Sequence, residues 1–178
     1  DFAAVAAHKF HGPKGAGFAF IRKSKGIQPL IYGGSQEKGI RAGTEAVYAI
    51  AGMAEALKIS YRNLNEEKAY ITGLKNYFKE QIVDAIPDIK FNASCGDNTQ
   101  STYNILNVCI PMSSEKALML LFQLDLKGIA CSKGSACQSG SSKGSHVLAE
   151  ILSEDDLKNP SIRFSFSFFN SKEEIDFV

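Results

Sequence analysis

No stretch of this 178-residue chain is apolar for long enough to cross a bilayer, and no block of like charge interrupts it. The net charge is +1, which excludes attraction to nucleic acid or membrane by bulk charge. No C-x-x-C pair occurs among the four cysteines, Cys95, Cys109, Cys131 and Cys137, and no histidine follows them at a zinc-binding distance. A zinc ribbon or finger is therefore excluded. Cysteine is also too sparse for a disulfide-stapled secreted scaffold, so the thiols read as reduced and the protein as cytoplasmic. No secretory leader and no internal repeat are visible. Hydrophobic residues at 44% and charged residues at 22% place the chain with ordinary globular proteins. Its length suits one large or two small domains.

What is present reads as alternating strands and helices, an α/β or α+β layered architecture. "FAAVAAH" and "GAGFAFIRK" are short, nearly continuous apolar strands, the pattern of strands buried on both faces. "PLIYGGSQEKGIRAGTEA" is a glycine-rich loop, and Thr44 is placed to cap a helix running to Arg62. Val47, Ile50, Ala51, Ala54 and Leu57 recur there at helical spacing. A second helix spans about Asn65 to Ile86, with Ile71, Leu74, Phe78 and Ile82 as its stripe and Pro87 as its end. The charged stretch from Arg62 to Lys68 separates two domains, 1–64 and 65–178. Strands follow at "IKFNA" and "TYNILNVCI", then a helix through "SSEKALMLLFQLDLKG" that stops at Gly128. A Gly/Ser/Cys loop, a short helix "SHVLAEIL", an alternating strand "SIRFSFSFF" and a helix start "SKEEIDFV" complete the chain.

Several residues carry chemistry. Lys9 ends an apolar strand beside His8 and a "GPKG" turn, where lowered basicity would free its amine to attack a carbonyl. The plainer reading is a lysine snorkelling from a strand end. His8 and His11 can bind a ligand or simply pack. "GGSQEKGIRAGTE" can offer backbone N–H groups, the Thr44 hydroxyl and the charge of Arg41 to an anion such as phosphate, or be an ordinary helix start. Cys137 lies in the loop "CSKGSACQSG", among residues typical of a mobile surface segment. A thiol placed there reads as reactive, with Lys133 or Lys143 to favour its thiolate. Cys131 and Cys109 read as packed, and Cys95 is open. Arg163 shares a strand face with Ser161 and Ser165 and can grip a carboxylate through two bonds, or sit on a solvated face.

Taken in order, "AHKFHGPKGAGF", "GGSQEKGIRAGTE", "GSACQSG" and "SIRFSFS" resemble the cysteine desulfurases, in the NifS/IscS-like branch of the class V aminotransferase group. The resemblance covers nearly the whole chain. It implies the C-terminal part of a fold-type I pyridoxal-phosphate transferase: residues 1–64 as the end of the large domain and 65–178 as the α+β small domain. In that family the cofactor lysine lies mid-chain, so a protein roughly twice as long is implied. By the same resemblance Lys9 would hold pyridoxal 5'-phosphate through its amine and move protons, and His8 would contact its phosphate. Thr44 would reach the phosphate of the neighbouring subunit of a homodimer, and Arg163 would hold the carboxylate of L-cysteine. Cys137 would take the substrate sulfur as a persulfide, leaving L-alanine, and pass it to a sulfur acceptor such as an iron–sulfur scaffold protein. No metal is implied. Related possibilities are a selenocysteine lyase, a class V aminotransferase, or a non-catalytic dimerisation or docking piece. One departure stands out: Ala6 occupies the place of a usual serine, a lost phosphate donor worth about 1.5–3 kcal/mol.

Overall fold

The computed structural model describes residues 1–23, 25–112, 114–133 and 145–178. They form two compact units, Asp1–Leu64 and Asn65–Val178.

In the first unit, β1 (Phe2–Ala6) and β2 (Gly17–Ile21) pair antiparallel, with Phe2 opposite Ile21 and Ala6 opposite Gly17. Gly17 is required because a Cβ there would lie 2.5 Å from the Val5 carbonyl oxygen. Between the strands runs a 3-10 turn, Ala7–Phe10, which ends at His11 in the left-handed region. The Ala7 N–H donates to Ala16 O, and the Gly12 N–H donates to Ala7 O. A second 3-10 turn covers Gln36–Gly39, and α1 spans Val47–Arg62.

Two expectations change here. The strands are not buried on both faces: Phe2, Phe18 and Phe20 are exposed, and α1 packs chiefly on the Ala7–Phe10 turn. Most of the stripe read along α1 is not its packed face either; of its five residues Leu57 alone is half-buried. Val47, Ile50, Ala51 and Ala54 are exposed, while Ala49 is buried and Gly52 lies against the Pro13 ring. A small residue at 52 lets the turn approach, and Met53 and Leu57 are half-buried as well, while Val47 and Ile50 are not.

The second unit holds a core. α2 (Leu64–Ala85) buries Ile71, Leu74 and Phe78 on one face of a three-stranded antiparallel sheet, with Ile82 packed at the margin. The strands β3 (Lys90–Phe91), β4 (Ile105–Cys109) and β5 (Ser161–Ser165) lie in that order. Leu106, Val108 and Ile110 alternate with Ile162 and Phe166 on the core face. The Phe78 ring lies 4.7 Å from that of Phe164 and 5.6 Å from that of Phe166, centroid to centroid. Each such side chain contributes about 1.5–3 kcal/mol when fully buried.

α3 (Ser114–Leu126) ends in a Schellman motif: the Ile129 N–H donates to Leu124 O and the Gly128 N–H to Asp125 O, with Gly128 at φ +79°. α4 (His146–Ile151) is capped by Ser145. α5 (Glu154–Leu157), a single turn not anticipated from the sequence, is capped by Ser153. α6 (Lys172–Phe177) carries a capping box between Ser171 and Glu174. It is fastened to α2 by a 2.5 Å bond from Tyr77 Oη to Asp176 Oδ1, with the Lys172 ammonium 4.0 Å from the Tyr77 ring centre.

Lys75 is fully buried on α2 without a carboxylate partner among the described residues. Its Nζ donates to Ser101 Oγ at 2.9 Å and Thr102 O at 3.0 Å, and burial pushes its ammonium below the usual lysine range. One turn on, Lys79 Nζ donates to Gly96 O. The two lysines pin the loop between β3 and β4 to the helix.

Candidate functional site

The alternation of β5 sends Ile162 into the core and Arg163 to the opposite sheet face, as its sequence predicts. That face is not simply solvated. Arg163 is half-buried, and its Nε is buried with no hydrogen-bond partner among the described residues. A buried donor left unpaired costs about 1–3 kcal/mol, so this atom is poised for an acceptor that the described residues do not supply.

The backbone of Arg163 is spoken for. Its N–H donates to Ser132 O at 2.7 Å, and Ser132 N–H donates back at 3.2 Å. Ser132 stands at the foot of the segment bearing Cys137. On the other side, Asn107 of β4 lies directly opposite Arg163. Asn92, buried to 4% exposure, donates from Nδ2 to Asn107 Oδ1 at 2.7 Å and to Ser161 Oγ at 2.9 Å. Sequence reading missed Asn92, Asn107 and Ser132. The signal available for Asn107 was a polar residue at an alternate position of the apolar strand "ILNVC".

Lys9 and His8 share the 3-10 turn after β1, and both are exposed. Lys9 has no ion-pair partner among the described residues. Thr44 does not cap α1: the helix begins at Val47, its N-cap is Ala46, and no side chain caps it. The loop before it turns twice through left-handed backbone, at Glu37 and Lys38. The Thr44 hydroxyl is therefore exposed and not spent on the helix. Lys9, His8 and Thr44 lie in the first unit and Arg163 in the second.

Cys137 and Lys143 lie outside the described residues. Cys109 is buried, and burial, with Asp156 nearby, pushes its thiol up. Cys131 is half-buried and also pushed up, by burial and then by Asp125. Both are poor nucleophiles near neutral pH. Cys95, open in the sequence, is a structural group: its Sγ donates to Asn107 O and accepts from Asn107 N–H. Among the described residues no group of His, Cys, Asp or Glu side chains is placed to hold a metal ion, and no helix is long and apolar enough to cross a membrane.

This arrangement belongs to a known class. The aminotransferase class-V family matches residues 1–178, and the chain is a member of that family. It is 38% identical over 178 residues to the cysteine desulfurase IscS of Dictyoglomus turgidum, covering all of this chain and 44% of that protein. It is 39% identical over 176 residues to a putative cysteine desulfurase, IscS 1, of Bacillus subtilis, covering 98% of this chain and 45% of the relative. A solved NifS-like protein superposes with a TM-score of 0.81 at 31% identity, over 99% of this chain and 44% of that one. The fold is thus that of the pyridoxal-phosphate transferases of fold type I. The chain spans less than half the length of these relatives.

The residues present suit the cofactor that the family uses. A primary amine with no ion-pair partner among the described residues (Lys9), an adjacent imidazole (His8) and a hydroxyl not used in capping (Thr44) are the donor types that hold pyridoxal phosphate.

Proposed function

We propose that this chain is part of a cysteine desulfurase, which converts L-cysteine to L-alanine and leaves a persulfide on Cys137. The observation that carries this reading is Arg163, a half-buried guanidinium whose Nε has no partner among the described residues, tied by backbone bonds to Ser132, five residues before Cys137 in sequence.

Each residue then has a physical task. Arg163 binds the substrate carboxylate and so orients the amino acid, with two N–H donors matching two oxygens. Lys9 holds the cofactor through its amine and moves protons at the substrate's α- and β-carbons. His8 and Thr44 donate to the phosphate, Thr44 across a homodimer interface. Pyridoxal phosphate, when bound, supplies the electron sink. Cys137 Sγ, as thiolate, attacks the substrate sulfur. The carbon–sulfur bond breaks, a sulfur–sulfur bond forms, and the β-carbon gains a proton to become the methyl group of alanine. Atoms balance, since cysteine and alanine differ by one sulfur. The reading places the protein in the cytoplasm, where a sulfur acceptor such as an iron–sulfur scaffold protein would collect the persulfide.

Borohydride trapping tests the cofactor assignment. The protein is incubated with pyridoxal phosphate, reduced and digested, and the labelled lysine is located by mass spectrometry. Label concentrated on Lys9 is expected; label spread over surface lysines would remove the assignment. In the whole protein, Cys137→Ala should abolish alanine release from cysteine. An aminotransferase would be indifferent to that change.

A further inference from the structure

We propose that Asn107 is a second donor for the carboxylate held by Arg163, locked in that role by Asn92. The proposal rests on the desulfurase reading and names a residue which that reading leaves without a task.

The backbone sets the geometry. Asn107 and Arg163 are opposite partners in the antiparallel ladder. Neither turns its backbone toward the other: Asn107 O accepts from the Asn92 N–H, and Arg163 exchanges both its bonds with Ser132. They are therefore a non-hydrogen-bonded pair, the kind whose Cα atoms approach to about 4.5 Å and whose side chains stand closest. The polar sheet face thus carries a row of four residues across four chain segments: Asn92, Asn107, Arg163 and Ser132.

The amide orientation follows. Asn92 donates to Asn107 Oδ1 at 2.7 Å, so that oxygen is turned toward β3. The Asn107 Nδ2 is left on the β5 side, toward Arg163. Asn92 itself cannot swing freely, since it is buried and held to Ser161 by a second bond. Two kinds of N–H donor, amide and guanidinium, then stand on neighbouring strands of one sheet face, and the guanidinium Nε is buried with no hydrogen-bond partner among the described residues. Adjacent donors of this kind are satisfied together by one group with two lone-pair-bearing oxygens, a carboxylate. The chemistry selects the carboxylate end of an α-amino acid and discriminates against an amide or ester.

The test uses the ¹⁵N-labelled chain and L-alanine, which has the substrate's carboxylate but no thiol. The side-chain resonances of Arg163 Nε and Asn107 Nδ2 are followed through the titration. Both are expected to move along one binding curve. Asn107→Asp keeps the oxygen that Asn92 needs and replaces the donor with an anion, so it should weaken binding by about tenfold or more. Movement of Arg163 alone, or unchanged affinity in Asn107→Asp, overturns the proposal and leaves Arg163 as the sole carboxylate-binding residue of this pair. Movement of neither resonance removes the role given to Arg163, and the proposal with it. The unmutated co-titration reads the answer even where the variant disturbs β4, which the backbone amide spectrum would report.

Discussion

Lys75 shows how one residue can hold a loop. A fully buried ammonium without a carboxylate is costly, and the chain offsets part of that cost with bonds to Ser101 Oγ and Thr102 O. Lys75→Ala should lower stability by about 2–4 kcal/mol, from lost packing and an unpaired Thr102 carbonyl, read by urea denaturation. Asp156 makes a second case. The bond from Lys90 Nζ at 2.6 Å, then that from Ser153 Oγ, hold its carboxyl below the usual carboxylate range. A depressed folded value means the contribution is fully present above the unfolded value and is lost as pH falls through the folded one. An NMR titration of the Asp156 carboxyl should therefore give a midpoint below the model-compound value of 3.8, and Lys90→Met should move it upward. A midpoint unaffected by Lys90→Met would show that the ion pair does not form in solution.

At the scale of elements, helix ends were legible at three places, though not at Thr44, which does not cap α1. Gly128, Ser145 and Ser171 each stand where the sequence punctuates a helix, because capping is local chemistry within four or five residues. Gly128 has open space where a Cβ would go, so its requirement is conformational alone. Gly128→Ala should cost about 1 kcal/mol, measured as a lower urea midpoint with unchanged slope; no loss would mean the Schellman turn relaxes freely. The α2 stripe was legible for the same reason of periodicity: Ile71, Leu74 and Phe78 face the sheet. The α1 stripe misled. Its aliphatic spacing is real, yet the side that packs is the one where Ala49 and Gly52 admit the Pro13 turn, and close approach is invisible to a count of large residues.

Across the whole molecule the apolar core is unevenly shared. Asn65–Val178 contains a continuous buried cluster, whereas the buried apolar residues of Asp1–Leu64 are Ala7, Ala42 and Ala49. Amide hydrogen exchange should accordingly be slowest in α2, β4 and β5 and fastest in the β1–β2 hairpin, since protection follows buried contacts. A hairpin more protected than β4 would mean that its exposed phenylalanines are covered in solution by self-association.

The sequence by itself determined which chemistry this protein can carry. A lysine after an apolar strand, a thiol in a Gly/Ser loop and an arginine on an alternating strand are fixed by residue type and local spacing. Tertiary structure decided what surrounds Arg163. Its orphaned Nε, the bridge to Ser132 and the line through Asn107 to Asn92 depend on the register of β3, β4 and β5, whose residues are drawn from as far apart as 92 and 163. Register between distant strands is set by the shared core face, through contacts that no local pattern records.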